Sequence, residues 1–258
     1  MTEARMRSEW TQVGEHLIHA RIFDEDVPAP SVGVTPIVLV HGLGVSGRYM
    51  LPTARLLAKH AHVYVPDLPG FGKSSKPSHT LEIRELADVL GRWMMAINLP
   101  RAHFIANSFG CQVVAEYALR HREQIERIVF TAPAVDSSAR RWQQQILSLL
   151  NDALHEPLSM AFIAVTDYYS AGLKRAWRTL QMALRDRIEE KLPHINIPAL
   201  VVRGELDPLA PHKWCQEVAQ ALPCCARLAT IPNAAHAINY NVPEELAEIV
   251  LPFLNAQQ

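Results

Sequence analysis

Ser108 lies where the sequence can present a hydroxyl group on a sharp turn. It follows the apolar run of residues 102–106 and precedes a stretch of helical period. Ala106 and Gly110, two positions before and after it, are both small, as is required where the backbones of a strand and a helix nearly touch. An ordinary strand-to-helix turn can carry the same residues. The motif indicates a candidate nucleophile and needs support from the rest of the chain.

An acid and a base follow downstream, each directly after a predicted strand. Asp207 lies in RGELDPL, residues 203–209, and His236 lies in PNAAH, residues 232–236. An imidazole can take the proton of an attacking hydroxyl and return it to the leaving group, while a carboxylate fixes the imidazole tautomer. The order Ser, Asp, His along the chain is itself informative. This set of residues is typical of nucleophilic catalysis.

Two glycine-containing segments lie upstream of the serine. In VLVHGLG, residues 38–44, Gly42 and Gly44 allow a loop to approach another backbone closely. The segment DLPGFGKS, residues 67–74, is not a phosphate-binding loop, because Asp67 stands where that motif requires its first glycine. We therefore assign residues 67–74 a structural role.

The elements that must position these residues follow an α/β pattern. Residues 10–23 predict an antiparallel edge hairpin around Gly14 and Glu15. Further along, near-continuous apolar runs alternate with helical stretches, as expected for a parallel sheet that is buried on both faces. These runs are residues 37–40, 63–65, 104–106, 128–131 and 199–202. A final helix is predicted at about 243–254.

More than sixty residues without a strand-like run separate Pro133 from Pro198, too many for an ordinary loop. Apolar residues at helical spacing predict about three amphipathic helices there, some of them facing a substrate cavity. The sequence thus predicts a core of residues 1–133 and 195–258 and a helical lid of residues 134–194. The apolar residues are Leu147, Leu150, Leu154, Phe162, Val165, Tyr169, Trp177, Leu180, Leu184 and Ile188.

Composition narrows the function classes. The chain has 258 residues, 49% hydrophobic, which is enough for one large domain. The chain has 25 Lys plus Arg against 26 Asp plus Glu and no stripe of basic residues. Its charge therefore does not favour nucleic-acid binding. No segment reads as a signal peptide or a membrane span, so a cytoplasmic protein is expected. The cysteines, which form neither a disulfide framework nor a metal motif, are expected to be reduced thiols: Cys111, Cys215, Cys224 and Cys225.

Together these motifs resemble the α/β-hydrolase family over residues 10–254. The resemblance implies an α/β fold with a mostly parallel eight-stranded sheet and a helical lid inserted after the sixth strand. It implies Ser108 as nucleophile, Asp207 as acid and His236 as base. Asp136, after the sixth strand, is the alternative acid. The family's usual glycines are replaced by Ala106 and Ala235, which add one methyl each, and we expect the turn to survive both.

The resemblance also implies an oxyanion hole made by the backbone amides of Leu43 and Phe109. It implies no cofactor and no metal. The leading hypothesis is a serine esterase that cleaves carboxylic esters of small to medium apolar substrates through an acyl-enzyme. Amidase and lactonase activities use the same residues and stay open.

Two other functions compete. The first is hydrolysis of carbon-carbon bonds in dienoic diketo acids, which requires a cationic anchor. Candidate anchors in the insertion are Lys174, Arg175, Arg178 and Arg185, although acidic neighbours at helical spacing also fit a solvated face. The second is a non-catalytic receptor that binds a small molecule and recruits a partner.

Overall fold

The computed structural model describes residues 5–24, 34–224 and 227–256. Within these residues, eight strands form one sheet in the order β1-β2-β4-β3-β5-β6-β7-β8. Pairs β1/β2 and β2/β4 are antiparallel, and the other neighbours are parallel. The strands are β1 Arg7–Val13, β2 His16–Phe23, β3 Ile37–Val40, β4 Val63–Pro66, β5 Ala102–Asn107, β6 Ile125–Thr131, β7 Ala199–Gly204 and β8 Arg227–Ile231. The mostly parallel eight-stranded sheet and the edge hairpin are both confirmed.

The central strands are apolar throughout because both faces of the sheet are covered. Along β3, Val38 and Val40 belong to one core layer, while Ile37 and Leu39 belong to the other. Alternate residues of a strand point to opposite faces, so a run of four apolar residues serves two layers. Each of the five apolar runs in the sequence is found inside a strand.

The helices flank this sheet. The first layer contains residues of α2, α3 and α8, and the second contains residues of α1 and α10. The last helix has the bounds that the sequence predicts. The helices are α1 Leu51–Leu57, α2 Ile83–Ala96, α3 Phe109–Arg120, α4 Trp142–Asp152, α5 Leu158–Ala171, α6 Leu173–Arg185, α7 Ile188–Lys191, α8 His212–Ala221, α9 Ile238–Asn241 and α10 Pro243–Leu254.

Between β6 and β7, where every residue is described, the chain forms α4, α5 and α6 and then the short α7. The apolar residues that identify these helices in the sequence mostly face outward. Leu154, Phe162 and Tyr169 are 81%, 67% and 88% exposed, whereas Leu180 lines the cavity that also borders Ser108. The sequence predicts that some of these residues face a cavity, and Leu180 does so, whereas most of the others are exposed. The division of the chain into core and lid stays a prediction.

The segment after β8 is joined to the segment after β3. Thr53 Oγ1 of α1 donates to the carbonyl of Asn239 over 2.7 Å, and Asn239 Nδ2 donates to the carbonyl of Tyr49 over 3.0 Å. All three residues are buried. These bonds tie together parts of the chain that are almost 190 residues apart.

Among the described residues, Cys111, Cys215 and Cys224 are free thiols, and Cys225 lies outside them. None of the described helices combines the length and the apolar character that crossing a bilayer requires.

Candidate active site

Ser108 occupies the apex of the turn between β5 and α3. Its backbone has φ 55° and ψ −122°, a conformation that residues with a side chain rarely adopt. Its amide donates to the carbonyl of Thr131 on the next strand over 3.0 Å. A Cβ atom at Gly110 would lie 2.5 Å from the carbonyl oxygen of Val40, so only glycine fits there. Gly110 thereby lets α3 start directly against β3.

A buried hydrogen-bond chain fixes the loop after β3 against this turn. The amide of Gly42 donates to Tyr49 Oη over 2.9 Å, and that hydroxyl donates to Asn107 Oδ1 over 2.6 Å. Asn107 Nδ2 donates to Thr131 Oγ1 over 3.2 Å. Burial raises the pKa of Tyr49 above its ordinary value, so the hydroxyl keeps the proton it donates. The two backbones that flank Ser108 are thereby held at fixed separation.

His41 orients the peptide that carries the amide of Leu43. Its Nε2 accepts from the amide of Leu68 over 2.9 Å, so the ring proton is on Nδ1, which donates to the carbonyl of Gly42 over 2.8 Å. Burial lowers the pKa of His41, which keeps the ring neutral. In a trans peptide the N–H points opposite to the C=O, so this bond directs the amide of Leu43 away from His41.

Leu43 and Phe109 both border a cavity beside Ser108. Phe109 is the first residue of α3, where backbone amides have no partner within the helix. Neither amide donates a hydrogen bond to any described residue of the chain. Two preorganised donors are thus available at the cavity wall next to the serine.

His236 and Asp207 lie in hydrogen-bond contact. His236 Nδ1 is 2.8 Å from Asp207 Oδ2, and Asp207 Oδ1 accepts from the amides of Leu209 and Ala210 over 2.8 and 3.0 Å. Burial favours the neutral acid, but His236 and the two amides outweigh it and lower the pKa of Asp207. An ionised Asp207 keeps the proton on Nδ1 and leaves Nε2 as the basic nitrogen.

The loops that carry these two residues touch through Gly204, at the end of β7. A Cβ atom at Gly204 would lie 2.3 Å from the carbonyl oxygens of Ala234 and Ala235. The close approach brings the loop after β7, with Asp207, against the loop after β8, with His236. Two neighbouring parallel strands therefore deliver the acid and the base to the same edge of the sheet.

Two carboxylates from the helical insertion reach the same loop. Asp152 Oδ1 accepts from the amide of His236 over 3.0 Å, and Glu156 Oε1 accepts from the amide of Ala237 over 2.9 Å. Burial disfavours a charged imidazole, but Asp207, Asp152 and Glu156 outweigh it and raise the pKa of His236 to about 9. Burial raises the pKa of Asp152 to about 6. The sequence reasoning missed both residues, because it followed apolar spacing and not the acidic pair four positions apart.

A cavity of about 190 Å³ opens at this edge of the sheet, and both Ser108 and His236 line it. The two side chains make no hydrogen bond with each other in the structure. The insertion contributes thirteen of the lining residues, mostly apolar: Ala134, Val135, Gln145, Leu149, Asp152, Ala153, Glu156, Met160, Ala161, Ala164, Tyr168, Leu180 and Ala183.

The alternative residues named from the sequence lie elsewhere. Asp136 Oδ1 accepts from the amide and hydroxyl of Ser138 over 2.7 and 2.8 Å and does not line the cavity. The expected cationic anchors are also outside it. Arg178 and Arg185 line a separate cavity, Arg175 donates to the carbonyls of residues 77 and 79, and Lys174 is exposed.

The insertion is also bound to the loop after β3. Asp167 Oδ2 accepts from the amide and hydroxyl of Ser46 over 2.9 and 2.7 Å, and Oδ1 accepts from Arg48 over 2.9 Å. In addition, the ring of Tyr168 packs on Gly44. A Cβ atom at Gly44 would lie 2.2 Å from this ring, so a larger residue there would clash with it. Helix α5 therefore packs directly on the loop that carries Leu43.

Asp67 holds the segment 67–74 in place, as expected for a structural residue. Its carboxylate accepts from the amides of Gly47 and Lys73 and contacts His19 Nδ1 and an Arg21 nitrogen, all at 2.8–2.9 Å. Burial opposes ionisation, but these partners outweigh it and lower the pKa of Asp67 well below its ordinary value.

Comparison with known proteins is consistent with this geometry. The model of the alpha/beta hydrolase family matches residues 37–249. The chain belongs to the alpha/beta hydrolase family. It is 26% identical over 243 residues to a pimeloyl-[acyl-carrier protein] methyl ester esterase of Vibrio vulnificus, covering 84% of this chain and 93% of the relative.

Solved structures of this hydrolase family superimpose on nearly the whole chain. The enol-lactonase from Burkholderia xenovorans LB400 has a TM-score of 0.78 and 25% identity and covers 96% of this chain and 100% of its own. A thermophilic esterase from Thermogutta terrifontis has a TM-score of 0.76 and 21% identity and covers 97% of this chain and 98% of its own. At this identity the likeness shows the fold alone. The relatives support a hydrolase of the esterase type.

Proposed function

We propose that this alpha/beta hydrolase is a serine esterase that cleaves carboxylic esters of small to medium apolar substrates through an acyl-enzyme. Ser108 is the nucleophile, His236 the general base and acid, and Asp207 the residue that orients His236. The amides of Leu43 and Phe109 form the oxyanion hole. The observation that carries this proposal is the strained backbone of Ser108 beside a cavity that it shares with the Asp207-bound His236.

In the acylation half, Ser108 Oγ attacks the ester carbonyl while His236 Nε2 takes the hydroxyl proton. The carbonyl oxygen becomes negatively charged and accepts from the amides of Leu43 and Phe109, each donor contributing roughly 2.7–4 kcal/mol in a dry site. The bond to the alkoxide then breaks as His236 returns its proton, so the alcohol leaves neutral. The acyl group stays on Ser108 Oγ.

In the deacylation half, water replaces the alcohol. His236 Nε2 takes a proton from the water as it attacks the acyl carbonyl, and the oxyanion again accepts from the two amides. Collapse of the intermediate returns that proton to Ser108 Oγ and releases the carboxylic acid. The Asp207 carboxylate stays ionised throughout and stabilises the imidazolium.

The cavity supports apolar substrates of limited size. Leu43, Val45, Leu149 and Met160 are among the side chains that line it, and its volume of about 190 Å³ is small for a ligand pocket. Short and medium acyl chains fit better than long ones. A lactone, being a cyclic ester, follows the same steps and is a second substrate form within the proposal.

The carbon-carbon hydrolase reading has no observation in its favour. Its substrates carry a carboxylate, and none of the four cationic candidates lines the cavity.

The free thiols at Cys111, Cys215 and Cys224 support a reducing compartment, and a cytoplasmic location is part of this proposal. The only partner it requires is the small ester substrate, with no nucleic acid.

The test is reaction with an alkyl fluorophosphonate followed by intact mass, on the wild type and on Ser108→Ala. One adduct on the wild type alone, with faster turnover of p-nitrophenyl butyrate than of p-nitrophenyl palmitate, is the expected result. Folded wild-type protein that takes no adduct overturns the proposal and favours the receptor. Retained ester turnover in Ser108→Ala overturns the acyl-enzyme.

A further inference from the structure

Apart from the His236 ring, the ionisable side chains that line the cavity are carboxylates. Asp152 and Glu156 line it, and within the part of the chain that the structure describes no lysine or arginine does. Both carboxylates come from the insertion and lie at its contact with the His236 loop. The substrate of this site therefore meets two carboxylates next to the reacting centre, while the His236 ring is already paired with Asp207 and no lysine or arginine lines the described cavity.

The two carboxylates are not equivalent. Both oxygens of Glu156 accept hydrogen bonds, from the amide of Ala237 over 2.9 Å and from Asn241 Nδ2 over 2.5 Å. Asp152 uses only Oδ1, for the amide of His236, and no described residue donates to its Oδ2. Asp152 is 6% exposed, so its unused oxygen meets little solvent apart from the cavity. Asp152 is the group that a bound substrate would meet.

We infer that Asp152 is a specificity-determining residue that restricts this site to esters without a carboxylate near the scissile bond. The inference rests on the proposed function and names its substrate class: neutral esters, in preference to monoesters of dicarboxylic acids. A second anion in a shielded cavity is repelled more strongly than in water, and it also loses its hydration without gaining a partner.

Asp152→Asn is the informative variant because it changes the charge and little else. The asparagine oxygen can still accept from the amide of His236, and its NH₂ group replaces the carboxylate oxygen that has no donor. A substrate carboxylate then meets a donor in place of an anion. Asp136→Asn is the matched control, since Asp136 is a carboxylate of the insertion that does not line the cavity.

The experiment compares two fluorophosphonates of equal chain length, one ending in a methyl ester and one ending in a carboxylate. The second-order rate constant of labelling is measured for each by intact mass at pH 8. Both reagents need the same Ser108 and His236, so any effect of Asp152→Asn on the basicity of His236 cancels in the ratio of the two rate constants.

The wild type is expected to react faster with the neutral reagent. Asp152→Asn is expected to lower the neutral-to-anionic ratio about tenfold, mainly by faster labelling with the carboxylate reagent, while Asp136→Asn leaves the ratio unchanged. A ratio that Asp152→Asn does not change overturns the inference and leaves the esterase proposal standing. Failure of both reagents to label folded wild type overturns the esterase proposal, and the inference with it.

Discussion

His236 is contacted by carboxylates on two sides. Asp207 binds its ring at 2.8 Å, and Asp152 accepts from its backbone amide at 3.0 Å. The first contact fixes the tautomer that leaves Nε2 basic. The second adds negative charge to the same buried region and so stabilises the protonated ring.

The rate of ester hydrolysis should therefore depend on pH in a way that Asp152 controls. His236 acts as a base only when neutral, so kcat/KM rises as the pH increases through its pKa, which is raised to about 9. Removal of one negative charge in Asp152→Asn lowers that pKa, and the rising limb moves to lower pH. The measurement is kcat/KM for a neutral ester from pH 6 to 10.

In that experiment Asp136→Asn serves as the control and keeps the wild-type profile. A limb that stays in place in Asp152→Asn contradicts the assignment of Asp152 as a charge acting on His236.

The choice between the two candidate acids is a second prediction at this scale. Asp207→Asn leaves His236 without the carboxylate that fixes its tautomer, and kcat should fall about 10⁴-fold. Asp136→Asn should retain the wild-type kcat, because Asp136 binds Ser138 and not His236. The measurement is kcat of both variants with one neutral ester. A large loss in Asp136→Asn and none in Asp207→Asn would instead identify Asp136 as the acid.

At the scale of elements, helix α5 supports the loop that carries Leu43. Asp167 accepts two hydrogen bonds from Ser46 and one from Arg48, in the turn that follows this loop. In the proposed mechanism the amide of Leu43 stabilises charge only if it points at the oxyanion, so a small displacement of the loop matters. The insertion thus supports the chemistry from a helix that contributes none of the reacting groups.

Asp167→Ala should accordingly lower kcat about tenfold while the KM for a neutral ester changes less. Glu190→Gln, at an exposed residue of α7, is the control and should behave as the wild type. The measurement is the separate determination of kcat and KM, together with a thermal melt to verify folding. A change in KM alone would assign Asp167 to substrate binding.

The sequence predicts the elements better than it predicts their inward faces. Local requirements predict these elements: apolar runs predict the strands, and a polar residue between small neighbours predicts the turn at Ser108. The structure has the strands and this turn where the sequence predicts them. In the insertion, Leu154 and Tyr169 follow the helical period yet face outward, while Asp152 and Glu156 face the cavity. Which face of a helix in the insertion points inward depends on its partners in the core, and spacing alone does not contain that information.

At the scale of the whole molecule, Asp67 joins the antiparallel edge to the parallel part of the sheet. It binds His19 and Arg21 of β2 and the backbone of Gly47 and Lys73. Its partners lower its pKa below the ordinary 3.8. The stabilisation is fully present above the unfolded pKa and is lost as the pH falls through the folded one.

Asp67→Asn should lower the free energy of unfolding by about 3–5 kcal/mol at pH 7, because it leaves the buried Arg21 guanidinium without its anion. The difference from the wild type should be smaller at pH 3, where the unfolded wild-type carboxyl is largely protonated. Urea denaturation at both pH values measures this. An equal difference at both would mean that shape, and not charge, accounts for the loss.

The hydrogen bonds of Asn239 with Thr53 and Tyr49 have a kinetic consequence. Placement of Ser108 requires only the middle strands of the sheet, whereas placement of the His236 loop also requires β8 at the edge and the bonds of Asn239 to Thr53 and Tyr49. Contacts this distant in sequence form late, because the chain loses much entropy in closing so long a loop. Recovery of turnover during refolding should therefore lag behind recovery of secondary structure, so that activity reports the last step of assembly.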